Sequence, residues 1–231
     1  MLRLDGVRWS EGDFNLSADW SADAGERIAV IGPSGAGKST LLALIAGFLA
    51  PRAGRITWQG RDLGPLAPGD RPISILFQDQ NLFAHLTLAQ NLGFGLSPNL
   101  RLRPDDNAKI DAALARVGLA GLGARKPGQL SGGQQSRAAL ARALLRARPI
   151  LLLDEPFAAL GPALKSEMLT LVREVADTTG ALTLLVTHDQ ADAHQFARRT
   201  ILVDAGHACA PRDTEALFAN PPPALRNYLG T

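Results

Sequence analysis

Short apolar runs without a polar break recur at RIAVIG (27–32), ISILF (73–77), ILLLD (150–154), LTLLVT (182–187) and TILVD (200–204). Runs of this length read as strands buried on both faces, as in a parallel sheet. Several are separated by segments of helical period, so the pattern predicts an α/β fold with a mainly parallel sheet. The opening stretch MLRLDGVRW alternates Leu2, Leu4, Val7 and Trp9 imperfectly and predicts an antiparallel strand. Between about residues 81 and 145 the strand signal disappears. There TLAQ (87–90) fits the S/T-x-x-E/Q capping box, and Ile110, Ala113, Leu114 and Val117 recur at helical spacing behind Asp105 and Asp106. This segment predicts a helical insertion in the α/β core. The tail, with three consecutive prolines in NPPPALRNYLGT, predicts extended structure followed by a short helical turn.

Composition narrows the function classes. The 231 residues carry 24 basic and 22 acidic side chains, a formal net charge of +2, and so even a balance argues against a mainly electrostatic nucleic-acid binder. The single cysteine, Cys209, has no internal disulfide partner and suits a reducing compartment, where it reads as a small apolar residue. Asp5 precedes any useful apolar run, which argues against a secretory signal. No stretch approaches the roughly 20 apolar residues that cross a bilayer.

Chemistry concentrates in two glycine loops and three strand ends. GPSGAGKST, running from Gly32 through Pro33, Ser34, Gly35, Ala36, Gly37, Lys38 and Ser39 to Thr40, matches G-x-x-x-x-G-K-[ST]. It lies directly after the strand RIAVI and directly before the amphipathic run STLLALIAGFL. In that context, backbone N–H groups and a helix amino terminus converge on an anion, Lys38 reaches the outer phosphates and the Ser39 hydroxyl ligates Mg²⁺. ILLLDEP sets Asp154 and Glu155 at the carboxyl end of an apolar strand, the edge where open α/β sheets bind ligands. An acidic strand end before Pro156 is common in itself. Beside Lys38 it marks Asp154 as a candidate for Mg²⁺ or its water shell and Glu155 as the candidate general base. His188 in LLVTHDQ ends another strand at the same edge and is a candidate for contacting the γ-phosphate or orienting Glu155. Gln78, after ISILF, offers a side-chain oxygen to Mg²⁺ or its water. Finally, LSGGQ starts a helix on two adjacent glycines. Ser131 and Gln134 satisfy a capping box, but Gly132 and Gly133 are helix-unfavourable by about 0.8–1.0 kcal/mol each relative to alanine. Bare backbone and a hydroxyl at a helix start make a second anion site, complementary to the first. If the halves cannot meet within one chain, two copies related by a two-fold axis can bring them together with ATP between them.

With GPSGAGKST, Gln78, LSGGQ, ILLLDE and His188 in that order, the sequence resembles the nucleotide-binding subunit of an ATP-binding cassette (ABC) transporter over nearly its whole length. The resemblance makes these motifs Walker A, the Q-loop glutamine, the signature, Walker B and the switch histidine. It implies a P-loop NTPase (RecA-like) core at about 1–80 and 146–210, a helical subdomain at about 81–145, a small antiparallel β part and a short tail at 211–231. It also implies a head-to-tail dimer of two copies sandwiching ATP and Mg²⁺, transmembrane permease subunits and, through them, a periplasmic solute-binding protein. The expected place is the cytoplasmic face of the inner membrane. Within the family, RPISILFQDQNLFAHLTLAQNLGFGL and the short carboxyl end most resemble the ATP-binding subunits of bacterial thiamine importers.

Two positions depart from the family pattern. Gly161, in FAALGPAL, stands where the D-loop aspartate is usual, and the aromatic residue that stacks on adenine has no clear counterpart. Trp9 is either a stand-in for it or a buried strand tryptophan. Leu82, Phe83, Leu86 and Leu88 beside Gln78 read either as a groove for a short permease helix or as core. A chromosome-maintenance or repair ATPase shares these motifs but separates them with long coiled coils, and no sustained heptads lie between Lys38 and Ser131. A plain P-loop kinase leaves LSGGQ without a purpose.

Overall fold

The alternation in the first 22 residues becomes a hairpin. β1 (Leu2–Glu11) and β2 (Phe14–Ala22) pair antiparallel, with Leu4 opposite Trp20 and Trp9 opposite Leu16. This computed structural model describes residues 1–79 and 81–230. The chain continues through β3 (Arg27–Ile31), α1 (Lys38–Ala46), β4 (Ala53–Trp58), β5 (Arg61–Asp62) and β6 (Ile73–Leu76). Three α-helices follow among the described residues: α2 (Leu88–Leu96), α3 (Asp106–Arg116) and α4 (Gly132–Leu145). Strand and helix then alternate as β7 (Ile150–Asp154), α5 (Pro162–Thr179), β8 (Leu182–Val186), α6 (Gln190–Phe196) and β9 (Arg199–Asp204). The chain closes with β10 (His207–Ala208), β11 (Arg212–Asp213), α7 (Thr214–Ala219) and α8 (Pro223–Leu229).

The apolar runs lie side by side in the order β6-β7-β8-β3-β9, each parallel to its neighbour. Beyond β9, β10 turns back antiparallel and runs parallel to β2, which joins the antiparallel β2-β1-β4-β5 ribbon to the same sheet. Period-2 alternation sends successive side chains to two cores. Ala29, Ile31, Leu151 and Leu153 face a cluster completed by α2 to α6 and by Leu225 of α8. Ile28, Val30, Ile150 and Leu152 face a second, completed by α1 and by Leu2, Leu4 and Trp20 of the hairpin. Burial on both faces is why these runs carry no polar break.

Helix boundaries follow local chemistry. Thr87 caps α2 in the capping box that TLAQ predicts, with Gln90 returning the bond to the Thr87 amide. Ile110 and Leu114 are buried on α3 and Val117 at its C-cap, while Ala113 is half-buried. In contrast to its amphipathic reading, α1 is covered on nearly all sides, with Leu41, Leu42, Leu44, Ile45 and Ala46 all buried, because it lies between the parallel sheet and the hairpin layer. It ends at Gly47, where the buried guanidinium of Arg71 donates to the Leu44 and Ile45 carbonyls at 3.0 and 2.7 Å. Those are acceptors that a helix end leaves without partners. The tail holds more structure than its prolines suggest: α7 precedes them, and Pro223 is the first residue of α8.

The turn between β9 and β10 binds the hairpin to the loop after β3. Gly206 donates to the Ala36 carbonyl at 3.2 Å and accepts from the Ser17 amide at 2.7 Å. Its φ is +74°, and a Cβ there would sit 1.8 Å from the Asn15 carbonyl oxygen. Gly206→Ala therefore meets both a left-handed backbone penalty and a backbone clash, and should cost about 2–3 kcal/mol. The expected reading is a lower urea midpoint with an unchanged slope.

Candidate functional site

β3 delivers the chain to Gly32, whose φ of +150° and whose approach to Val203 leave no room for a side chain: a Cβ would lie 1.9 Å from the Val203 carbonyl oxygen. The loop then folds over the start of α1, with Gly37 at its N-cap. Lys38 is 8% exposed, and its Nζ donates to the Gly32 and Pro33 carbonyls at 2.8 Å each. Burial lowers its pKa, while Glu155 and Asp154 push the other way. The ammonium thus rests on the loop's own carbonyls, beside helix amides that have no intrahelical acceptor. A cleft of about 310 Å³ opens over it, lined by Phe14, Ser34, Gly35, Gly37, Lys38, Ser39, Thr40, Gln78 and Glu155. Ala36 is buried beneath, its carbonyl taken by Gly206.

The acidic pair separates into two environments. Asp154, 5% exposed at the end of β7, lies beside the Ser39 hydroxyl at the start of α1. Burial raises its pKa, with the Ser39 hydroxyl opposing and the Glu155 charge adding to the rise. The next residue turns: Glu155 has φ +45°, a left-handed conformation that bulky side chains avoid, and its amide donates to the Val186 carbonyl at 3.2 Å. Its Oε2 lies 3.4 Å from Nδ1 of His188, which stands in the turn after β8 with its side chain 65% exposed. The Ser39 hydroxyl, the buried Asp154 carboxylate and the Gln78 side chain on the cleft wall form a hard-oxygen set. They fit Mg²⁺, which takes one or two protein ligands and keeps its remaining positions for water and phosphate.

LSGGQ sits apart. Ser131 caps α4, accepting from the Gln134 amide at 3.3 Å while the Gln134 side chain accepts from the Ser131 amide at 3.0 Å. This cap uses a lone pair of the hydroxyl and leaves its proton for another acceptor. The two glycines differ: a Cβ on Gly133 would come 3.1 Å from Leu160, whereas one on Gly132 would meet nothing within 4 Å. Internal packing asks for a small residue at Gly133 alone. Ser131, Gly132, Gly133 and Gln134 do not line the cleft over Lys38.

Other positions are redistributed. Trp9 is half-buried rather than enclosed, its ring centroid 6.3 Å from that of Phe14, and Phe14 is the aromatic that lines the cleft. Phe14 belongs to no motif, and its place just beyond the hairpin turn is the one sequence cue to it. Leu88 is fully buried core, Leu82 and Leu86 are half-buried, and Phe83 is 44% exposed with Phe94 at 4.9 Å. Phe48, 53% exposed, stacks edge-on against Phe77 at 5.3 Å. Aromatic surface therefore gathers on the chain before and after Gln78. Gly161 caps α5 in extended backbone, and no neighbour there requires a glycine.

A family profile described as ABC transporter matches residues 16–158. The thiamine import ATP-binding protein ThiQ of Cereibacter sphaeroides is 72% identical over 230 residues, covering all of both chains. The protein of that name in Ruegeria sp. is 56% identical, again over all of both, and that of Shigella boydii is 47% identical over 95% of this chain and 94% of its own. Among solved structures, a dimer of the ATP-binding cassette MJ0796 in a post-hydrolysis state, bound to ADP and Pi, superimposes with a TM-score of 0.83 at 28% identity. The match covers 93% of this chain and 99% of that one.

Because burial raises the Asp154 pKa, its ionised form costs stability at neutral pH, and the cost falls as pH drops through the folded-state pKa. Asp154→Asn should raise the melting temperature at pH 7 by about 2–4 °C, as about 1 kcal/mol does in a chain of this size. The gain should shrink toward pH 4, and magnesium-dependent ATP hydrolysis should be lost. Differential scanning fluorimetry across pH, together with a phosphate-release assay, reads both.

Proposed function

This chain belongs to the ABC transporter family, and from that premise we propose that it is the ATP-hydrolysing subunit of a bacterial importer for thiamine or its phosphates, acting as a pair of copies. The observation that carries the reading is the pair of anion-ready loops, Gly32–Thr40 and Ser131–Gln134, that one copy leaves apart. The dimeric MJ0796 cassette supports closing them in trans, and the names of full-length relatives support the cargo.

In this reading Lys38 leaves the Gly32 and Pro33 carbonyls for the β- and γ-phosphates, and the amides of the loop hold the same oxygens. Ser39, Asp154 and Gln78 are the residues that would hold Mg²⁺, and the ion would supply positive charge beside the phosphates. Glu155, thrown out from β7 by its left-handed turn, takes the proton of the attacking water, and His188 beside it orients that carboxylate. Phe14, with Trp9 behind it, supplies an aromatic face toward the base. Ser131 and the Gly132 amide of the partner copy close on the γ-phosphate. ATP then binds the closed pair more tightly than the open one, the only condition under which binding shifts that equilibrium.

Among the described residues no helix is long and apolar enough to cross a membrane. We assign the membrane step to permease subunits whose short helix docks on the aromatic surface around Phe48, Phe77, Phe83 and Phe94 at the cytoplasmic face, with a periplasmic solute-binding protein delivering cargo.

Glu155→Gln should slow ATP turnover by roughly 10²–10⁴-fold while ATP-dependent dimers accumulate on size exclusion. The same variant should not restore labelled-thiamine uptake to cells lacking the gene, whereas the wild-type chain should. Near-normal hydrolysis counts against the site, and uptake indifferent to the gene counts against the cargo. Gly132→Asp separates folding from assembly. An aspartate at the first turn of α4 meets no neighbour and suits the helix dipole, so melting should hold or rise slightly. Its charge faces a triphosphate in the closed pair, so ATP-dependent dimerisation and hydrolysis should both be lost.

A further inference from the structure

The turn that carries His188 is held from two directions. On one side, Thr187 donates its hydroxyl to Asp192 at 2.8 Å and accepts from the Asp189 amide at 3.1 Å. Lys165 of α5 bridges Asp189 and Asp192 at 2.5 and 2.8 Å. These bonds fix the residues flanking His188, but none engages His188 itself. On the other side, the Tyr228 hydroxyl donates to the His188 carbonyl at 3.1 Å. Tyr228 comes from α8, forty residues later in the chain. That helix is anchored by Leu225, which is fully buried, and ends at Gly230 in the left-handed region.

We propose that Tyr228 is a positioning residue for ATP hydrolysis: by holding the His188 carbonyl it keeps the imidazole turned toward Glu155. The proposal rests on the reading above that Glu155 and His188 serve hydrolysis. With its side chain 65% exposed, His188 has little packing to fix its ring, and its direction follows from the backbone beneath it. Together with the contacts on the flanking residues, the bond to the His188 carbonyl sets the backbone from which Nδ1 reaches the Glu155 carboxylate at 3.4 Å. Burial, with the charges of Glu155 and Asp189 nearby, pushes the Tyr228 phenol pKa up, so the proton that makes the bond stays on the oxygen at neutral pH. No residue of the cleft over Lys38 belongs to α8, so nucleotide binding and the orientation of His188 are set by different parts of the chain.

The test is a double-mutant cycle on the full chain, with Tyr228→Phe, His188→Ala and both together. Tyr228→Phe keeps the ring and its packing. It should lower kcat for ATP by about three- to tenfold, the usual effect of one lost hydrogen bond, with KM within about twofold of wild type. In the His188→Ala background the same change should have almost no further effect. An unchanged kcat in Tyr228→Phe, or losses that multiply in the double variant, overturns the proposal and leaves the role of His188 intact. A His188→Ala enzyme that hydrolyses at the wild-type rate overturns both. If Tyr228→Phe also lowers the melting temperature, kcat is measured well below the melting temperature of the variant, where its folded population equals that of wild type. A kcat loss that disappears there makes the Tyr228 effect structural and overturns the proposal.

Discussion

The structure depends on charges held out of water at the carboxyl edge of the sheet. Lys38 is 8% exposed and Asp154 5%, and each has its pKa displaced by burial in the direction that disfavours its charge. Charges in that setting need partners, and the partners dictate the surroundings. Lys38 requires the Gly32 and Pro33 carbonyls, which requires the loop to fold back over its helix. Gly32 then passes so close to Val203 that a side chain is excluded. Asp154 has the Ser39 hydroxyl and the Lys38 charge beside it, both favouring its ionised form, at the place where the first turn of α1 meets the end of β7. The two apolar cores make such desolvation affordable.

That site is only half a cage. The cleft is walled by loop, strand end and Gln78, with its opposite face open, while an exposed helix start with a spare hydroxyl proton waits elsewhere on the same chain. The difference between the two signature glycines makes this specific. Gly133 is small because Leu160 presses on it, a reason internal to the fold. Gly132 has no internal reason to be bare, and bare backbone at an exposed helix amino terminus is what a close-approaching anion needs.

Most of this was legible in the chain because the fold is locally consistent. Uninterrupted runs such as ILLLD became strands buried on both faces, and TLAQ and LSGGQ became capped helix starts, since each pattern answers a requirement satisfied within a few residues. What escaped depended on distant packing. Whether Leu88 belongs to a groove or a core is decided by its neighbours in space, and α1 looks one-sided until the hairpin layer covers its second face. Phe14 enters the cleft through the geometry of a hairpin rather than a motif, and the bond from Tyr228 to His188 spans forty residues that no local pattern connects.

The glycine at position 161 is best understood through the segment around it. Here the same stretch makes its contacts by packing and by the helix it begins. Leu160 lies against Gly133 at the start of α4, and Gly161 opens α5, whose Lys165 grips Asp189 and Asp192 around the switch turn. The Lys165 amide also donates to the Gly161 carbonyl at 2.9 Å, so cap and clamp belong to one helical turn. Leu160, one residue from the cap of α5, therefore connects the start of α4 to the start of α5. Within one copy, the start of α4 and the turn that carries His188 are thus joined through packing, backbone and an ion pair, with no carboxylate at position 161.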